Sequence, residues 1–168
     1  MKLLFLDCDG VINGREWFAK HRADSLDKRK KLGFNIDPVC FNRVKSIIER
    51  TGCKVVWTSS WRHLGSNGII NDNLVKETWK FIGFEDEELY SWTPWLKLCH
   101  ARAVEIEAWI DCHPEVSGRA VIIDDGRDAF VPENYRDGLK IKFINTSIET
   151  GITDEEINET VEWMNAED

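Results

Sequence analysis

With 168 residues, 42% hydrophobic and 31% charged, the chain has the size and balance of one folded domain and not the composition of a disordered or fibrous one. No run approaches the ~20 apolar residues that cross a bilayer, so no membrane span, signal peptide or anchor is expected. The net charge of −8 belongs to residues 149–168, which hold eight acids and no Lys or Arg, so the remainder sums to zero. The five cysteines, Cys8, Cys40, Cys53, Cys99 and Cys112, are odd in number and lack a CxxC pair, which argues against a disulfide framework and for a reducing, cytoplasmic setting.

Residues 3–6 form a short apolar run that stops at Asp7, the pattern of a strand buried on both faces. Residues 15–31 carry Arg15, Lys20, Arg22, Lys28, Arg29, Lys30 and Lys31 against Glu16, Asp24 and Asp27, either a solvated helix face or a local attractor of polyanions. Asp37 and Pro38 then open a helix whose stripe of Val44, Ile47 and Ile48 runs to Gly52, a C-terminal stop. Residues 54–57, β-branched and aromatic, make a second strand that ends in Thr58, Ser59 and Ser60.

A loop is expected over 65–73, a helix over 74–82, and a short strand within 88–95 that Pro94 closes. Residues 101–112 set Val104 with Ala108 and Ile106 with Ile110 at helical spacing before His113 and Pro114. Residues 120–123 are a third apolar run and end in Asp124 and Asp125, while residues 139–144 alternate toward a last strand. Thr153 with Glu156 forms a capping box for a closing helix with Ile157, Val161 and Met164 inward.

Strands alternating with helices imply a three-layer, Rossmann-like α/β domain around a central, mostly parallel sheet of about five strands. Ligands of such sheets bind beyond the carboxyl ends of the strands. Three runs terminate there in oxygen-bearing side chains: Asp7 and Asp9, Thr58 and Ser59, and Asp124 and Asp125.

In the first group, Asp7 closes the strand and Asp9 opens the turn, with Gly10 free to take a backbone conformation that larger residues resist. The hydroxyls and amides around Thr58 and Ser59 suit phosphate oxygens, although the same turn also serves as a helix cap. Adjacent acids at Asp124 and Asp125 repel each other unless a cation is bound, and magnesium, which takes hard oxygen ligands, is the natural occupant.

Taken in order, these motifs resemble the haloacid dehalogenase (HAD) superfamily of phosphatases and phosphotransferases: Asp7-x-Asp9-Gly10-Val11, the strand-end Thr58, a basic residue best matched by Arg102 with Lys97 also in range, and Asp124-Asp125. More narrowly, Leu-Asp7-x-Asp9-Gly-Val-Ile-Asn13, Thr-Ser-Ser-Trp61-Arg62, Arg102-x-x-Glu105-Ile-x-x-Trp109 and Ile-Asp-Asp with the later Gly151-Ile-Thr-Asp-Glu resemble the small HAD domains of RNA-repair proteins, common in phages, and the phosphatase half of polynucleotide kinase-phosphatases.

The resemblance implies that Asp7 attacks phosphorus to form an aspartyl-phosphate and that Asp9 protonates the departing oxygen and then deprotonates water. It further implies that Thr58, Ser59 and Arg102 hold the phosphoryl oxygens, and that Mg2+ is held by Asp7, the Asp9 backbone carbonyl and Asp124 or Asp125. A single HAD-like domain over residues 1–168 is expected, with residues 13–36 as a small cap insertion too short for a large lid.

Beyond these motifs, Arg15 and Arg62 follow closely on them and are read either as contacts to a second phosphate or nucleic-acid backbone, or as solubilising surface groups. Of the eight tryptophans, Trp61 and Trp17 are the candidates for base stacking. The pairs Cys99-His100 and Cys112-His113 flank a helix too long for them to share one zinc ion. Cys8 lies between carboxylates, which raise its pKa and argue against a thiolate nucleophile.

The expected partner is a phosphorylated substrate, a nucleic-acid end or a nucleotide, with no obligate protein partner. The alternative is a catalytically silent nucleic-acid-binding module of the same fold.

Overall fold

The computed structural model describes residues 1–21, 36–63, 71–96 and 101–167. Five strands, β1 (Lys2–Leu6), β2 (Lys54–Trp57), β3 (Leu89–Trp92), β4 (Gly118–Asp124) and β5 (Leu139–Asn145), form one sheet in the order β3-β2-β1-β4-β5 with every pairing parallel. Around it stand α1 (Arg15–His21), α2 (Pro38–Thr51), α3 (Asp72–Ile82), α4 (Arg102–Cys112) and α5 (Asp154–Asn165).

The apolar run of β1 is unbroken because both of its faces are covered. Leu4 and Leu6 pack with Val44 and Ile47 of α2, Val75 and Trp79 of α3, and Ile157 and Val161 of α5. Leu3 and Phe5 turn to the other side and meet Ile106, Trp109 and Ile110 of α4, with the Phe5 and Trp109 rings edge to face at 5.3 Å. Three layers result, as the alternation of elements implies.

Helix ends follow local chemistry. The Asp37 carboxylate accepts the Val39 N–H ahead of Pro38, and Gly52 closes α2 at φ 65°. Thr153 and Glu156 form the expected capping box. Asn71 caps α3, which therefore begins at Asp72, two residues ahead of the expected helix. Residues 65–70 of the expected loop, and residues 22–35 of the expected cap, lie outside the described residues.

Of the two apolar pairs on helix α4, Ile106 with Ile110 is the one turned inward. Val104 is exposed, and the inward face is Glu105, Ile106, Trp109 and Ile110. An acid faces the interior here because two arginines meet it, as described below.

Strand order reverses between β1 and β4, and ligands of open α/β sheets bind outside the carboxyl ends at such a switch point. Register then sets the depth of each functional residue. Leu6 lies opposite Trp57 on one side and Ile123 on the other, so Thr58, Asp7 and Asp124 emerge at one level. Backbone bonds from Asp7 N–H to Ile123 O (3.1 Å) and from Thr58 N–H to Leu6 O (2.9 Å) fix that level. Among the described residues no helix is long and apolar enough to cross a membrane.

Candidate active site

Asp7 and Asp124 stand on neighbouring strand ends, and Asp125 follows in the turn after β4. The three carboxylates offer oxygens that all lie within 4.8 Å of one another. Asp7 and Asp124 are buried and Asp125 half-buried, so three like charges converge where water screens them poorly.

Burial raises the Asp7 carboxyl to about 6, with Asp9 adding to the rise and Arg102, the Cys8 N–H and the Ser59 hydroxyl opposing it. Burial and then the charge on Asp7 raise Asp124 to about 8. Asp125 is raised too, by burial first, while Arg15 holds it down.

A divalent cation relieves this crowding. The ligand set is all carboxylate oxygen, and Asp124 Oδ2 is buried with no hydrogen-bond donor among the described residues. Hard oxygen ligands with an unsatisfied buried oxygen fit Mg2+. Oδ1 of Asp124 is occupied, accepting the Gly126 N–H at 2.8 Å.

Opposite the acids, Thr58 and Ser59 are fully buried at the end of β2. The Thr58 hydroxyl has no hydrogen-bond partner among the described residues, whereas Ser59 bonds Asp7. Gly10 closes the floor at φ +69°, and a Cβ there would stand 2.5 Å from the Asp125 carboxyl. Its left-handed backbone and lack of a side chain thus let the β1 turn lie against the turn after β4.

Arg102, at the first turn of α4, brings its Nε to 3.7 Å from Asp124 Oδ2 and its Nη1 to 3.0 Å from Glu105 Oε2. Lys97, the other candidate cation, lies outside the described residues.

Arg62, read from sequence as a contact for substrate, corrects that reading. It is 1% exposed, and its guanidinium is consumed inside the protein. Nη2 pairs with Glu105 Oε2 at 2.6 Å and bonds Pro94 O, Nε bonds Thr93 O at 3.1 Å, and Nη1 bonds the carbonyls of Thr58 and Ser59. It ties the ends of β2 and β3 to α4, with no donor turned to solvent.

Trp61 corrects a second reading: at 4% exposure it offers no face for a base, and its indole N–H donates to Asp9 Oδ2 at 2.8 Å. Trp17 is half-buried and stacked on His21 at 4.7 Å. Arg15 is exposed and pairs with Glu149 at 3.1 Å.

Cys8 is fully buried and its thiol is pushed well up, by burial first and then by Asp7. Cys112 is exposed, and His113 stacks on Trp109, while Cys99 and His100 lie outside the described residues.

Two participants escaped sequence reasoning. Glu105 was visible only as the fourth residue of an Arg-x-x-Glu spacing, and Asn13 only as the residue closing the first motif. Asn13 bridges Gly10 N–H and the Asp9 carboxylate.

A parallel sheet whose switch point gathers three acids, two strand-end hydroxyls and an arginine defines a HAD-like α/β domain. The chain belongs to the family described as the HAD domain in Swiss Army Knife RNA repair proteins, whose model matches residues 3–157. That membership points to a phosphatase-type function. No curated protein and no solved structure gives a match.

Proposed function

We propose that this protein is a magnesium-dependent phosphomonoesterase that works through an aspartyl-phosphate at Asp7 on a nucleic-acid end or a nucleotide. The observation that carries the reading is the convergence of Asp7, Asp124 and Asp125 within 4.8 Å. Asp7, Asp124, Asp125 and the Asp9 backbone carbonyl would hold Mg2+, which supplies charge neutralisation between the acids and an anionic substrate.

A carboxylate oxygen of Asp7 attacks phosphorus, and the bond from phosphorus to the ester oxygen breaks. Asp9, exposed at the rim, gives its proton to that departing oxygen. Water then attacks the phosphoryl group, Asp9 takes its proton, and the bond to Asp7 breaks to release inorganic phosphate. Thr58, Ser59 and Arg102 hold the phosphoryl oxygens as negative charge redistributes among them. The Thr58 hydroxyl, which has no partner among the described residues, suits that role, since it gives up no bond to them to make one with substrate.

The nucleic-acid part of the proposal draws on the family's association with RNA repair. Phosphate release is measured from 3′-phosphorylated and 5′-phosphorylated oligonucleotides, nucleotides and sugar phosphates, with and without Mg2+, for the wild type and Asp7→Asn. Magnesium-dependent release that Asp7→Asn abolishes supports the reading. Oligonucleotide affinity without release, unchanged in Asp7→Asn, replaces it with a silent binding module.

A further inference from the structure

Asp9 is gripped at both ends of its carboxylate by groups that only donate. The Trp61 indole N–H reaches Oδ2 at 2.8 Å, and the Asn13 amide reaches Oδ1 at 3.0 Å. The orientation of Asn13 follows from its other bond. Its Oδ1 accepts the Gly10 backbone N–H at 2.8 Å, so the opposite end of the amide presents hydrogens to Asp9.

Both partners are fixed by packing, Trp61 at 4% and Asn13 at 9% exposure, although the carboxylate they hold belongs to an exposed residue. Trp61 is also tied to the phosphate side, its backbone N–H donating to Ser59 Oγ at 3.3 Å.

An exposed aspartate left to itself samples several staggered rotamers. Held at both oxygens, this one keeps a single orientation. Each oxygen accepts one of the two bonds and retains a further lone-pair direction, so a proton can be carried to a leaving oxygen with both grips in place.

We infer that Trp61 and Asn13 are positioning residues that aim the Asp9 carboxyl at the leaving-group oxygen, with Trp61 doing so from the same turn that carries Thr58 and Ser59. This rests on the phosphatase reading and deepens it. In the first step the Asp9 O–H gives its proton to the ester oxygen as the bond to phosphorus breaks, and the O–H electron pair stays on Asp9 as carboxylate. An alkoxide leaving group needs that proton, whereas a phenolate stable as an anion leaves without it.

The full chain with Mg2+ is assayed on p-nitrophenyl phosphate and on the best alkyl phosphate from the substrate screen. Asp9→Asn sets the benchmark, lowering the alkyl-to-aryl ratio of kcat by about 10²-fold. Trp61→Phe, which removes the indole donor, is expected to lower the same ratio about tenfold, a part of that general-acid contribution. Asn13→Asp keeps an acceptor for Gly10 but turns an oxygen toward Asp9, and it lowers the ratio in the same direction.

Equal losses on both esters, or no loss, in these variants overturn the inference while wild-type turnover leaves the phosphatase reading standing. No release by wild type from either ester overturns both. Should circular dichroism show that Trp61→Phe does not fold, the ratio measured for Asn13→Asp supports or overturns the inference on the same terms.

Discussion

Arg62 and Glu105, 43 residues apart in the chain, meet as an ion pair of 2.6 Å with side chains only 0% and 6% exposed. Glu105 also receives Arg102 at 3.0 Å and the Leu96 N–H at 3.2 Å, so one carboxylate joins the strut beneath the β2 and β3 ends to the arginine beside Asp124. Charges withdrawn from water are held only by such complete pairing.

Removing Arg62 takes from Glu105 its shorter ion pair, leaving Arg102 and the Leu96 N–H, and strips the carbonyls of Thr58, Ser59, Thr93 and Pro94 of their donor. Arg62→Leu is expected to destabilise the protein by about 3–5 kcal/mol, read as a lower urea midpoint. The double replacement Arg62→Leu/Glu105→Met recovers the part of that loss that comes from a buried carboxylate deprived of one of its two guanidinium partners. Unchanged stability in the single variant would show that Arg62 is not the strut it resembles.

The acid cluster makes stability depend on pH and cation together. Asp7 and Asp124 are both raised from 3.8, to about 6 and about 8. Without a cation, the folded protein holds protons across roughly pH 4 to 8 that the unfolded chain has already released, so its stability falls as pH rises. The contribution is whole below the unfolded carboxylate range and is lost as pH passes the folded values. Binding of Mg2+ to the ionised acids offsets that loss, so added Mg2+ raises Tm more at about pH 8 than at about pH 5. Melts at both pH values, with Mg2+ and with a chelator, measure the two increments; equal increments refute the cluster as a cation site.

Thr58 separates function from structure. Its hydroxyl is buried with no partner among the described residues, so Thr58→Val forfeits no hydrogen bond to them and is expected to change stability by less than about 1 kcal/mol. Loss of one donor to the phosphoryl oxygens lowers kcat on a phosphomonoester by about 10²-fold. A variant that melts early yet turns over normally would assign the hydroxyl to packing.

Much of this architecture was legible in the chain. Apolar runs at 3–6, 55–57 and 120–123 each stop at a polar residue, the pattern that strands of a parallel sheet buried on both faces require. Because register brings the residues after those strands to one level, Asp7, Thr58 and Asp124 group together on the strength of strand ends alone.

Side-chain direction was not legible. Arg62 follows the second motif as closely as Arg15 follows the first, yet one is sealed inside and the other pairs with Glu149 at the surface. Trp61 looked like a stacking platform and is an indole donor to Asp9, while Glu105 looked like one more acid on a helix. Local pattern determined which elements form and where their polar ends gather, since periodicity and turn chemistry act within a few residues. Only the tertiary fold decided which charges are buried and whom they meet, because that depends on partners such as Glu105 that arrive from elsewhere in the chain and make burial of a charge tolerable.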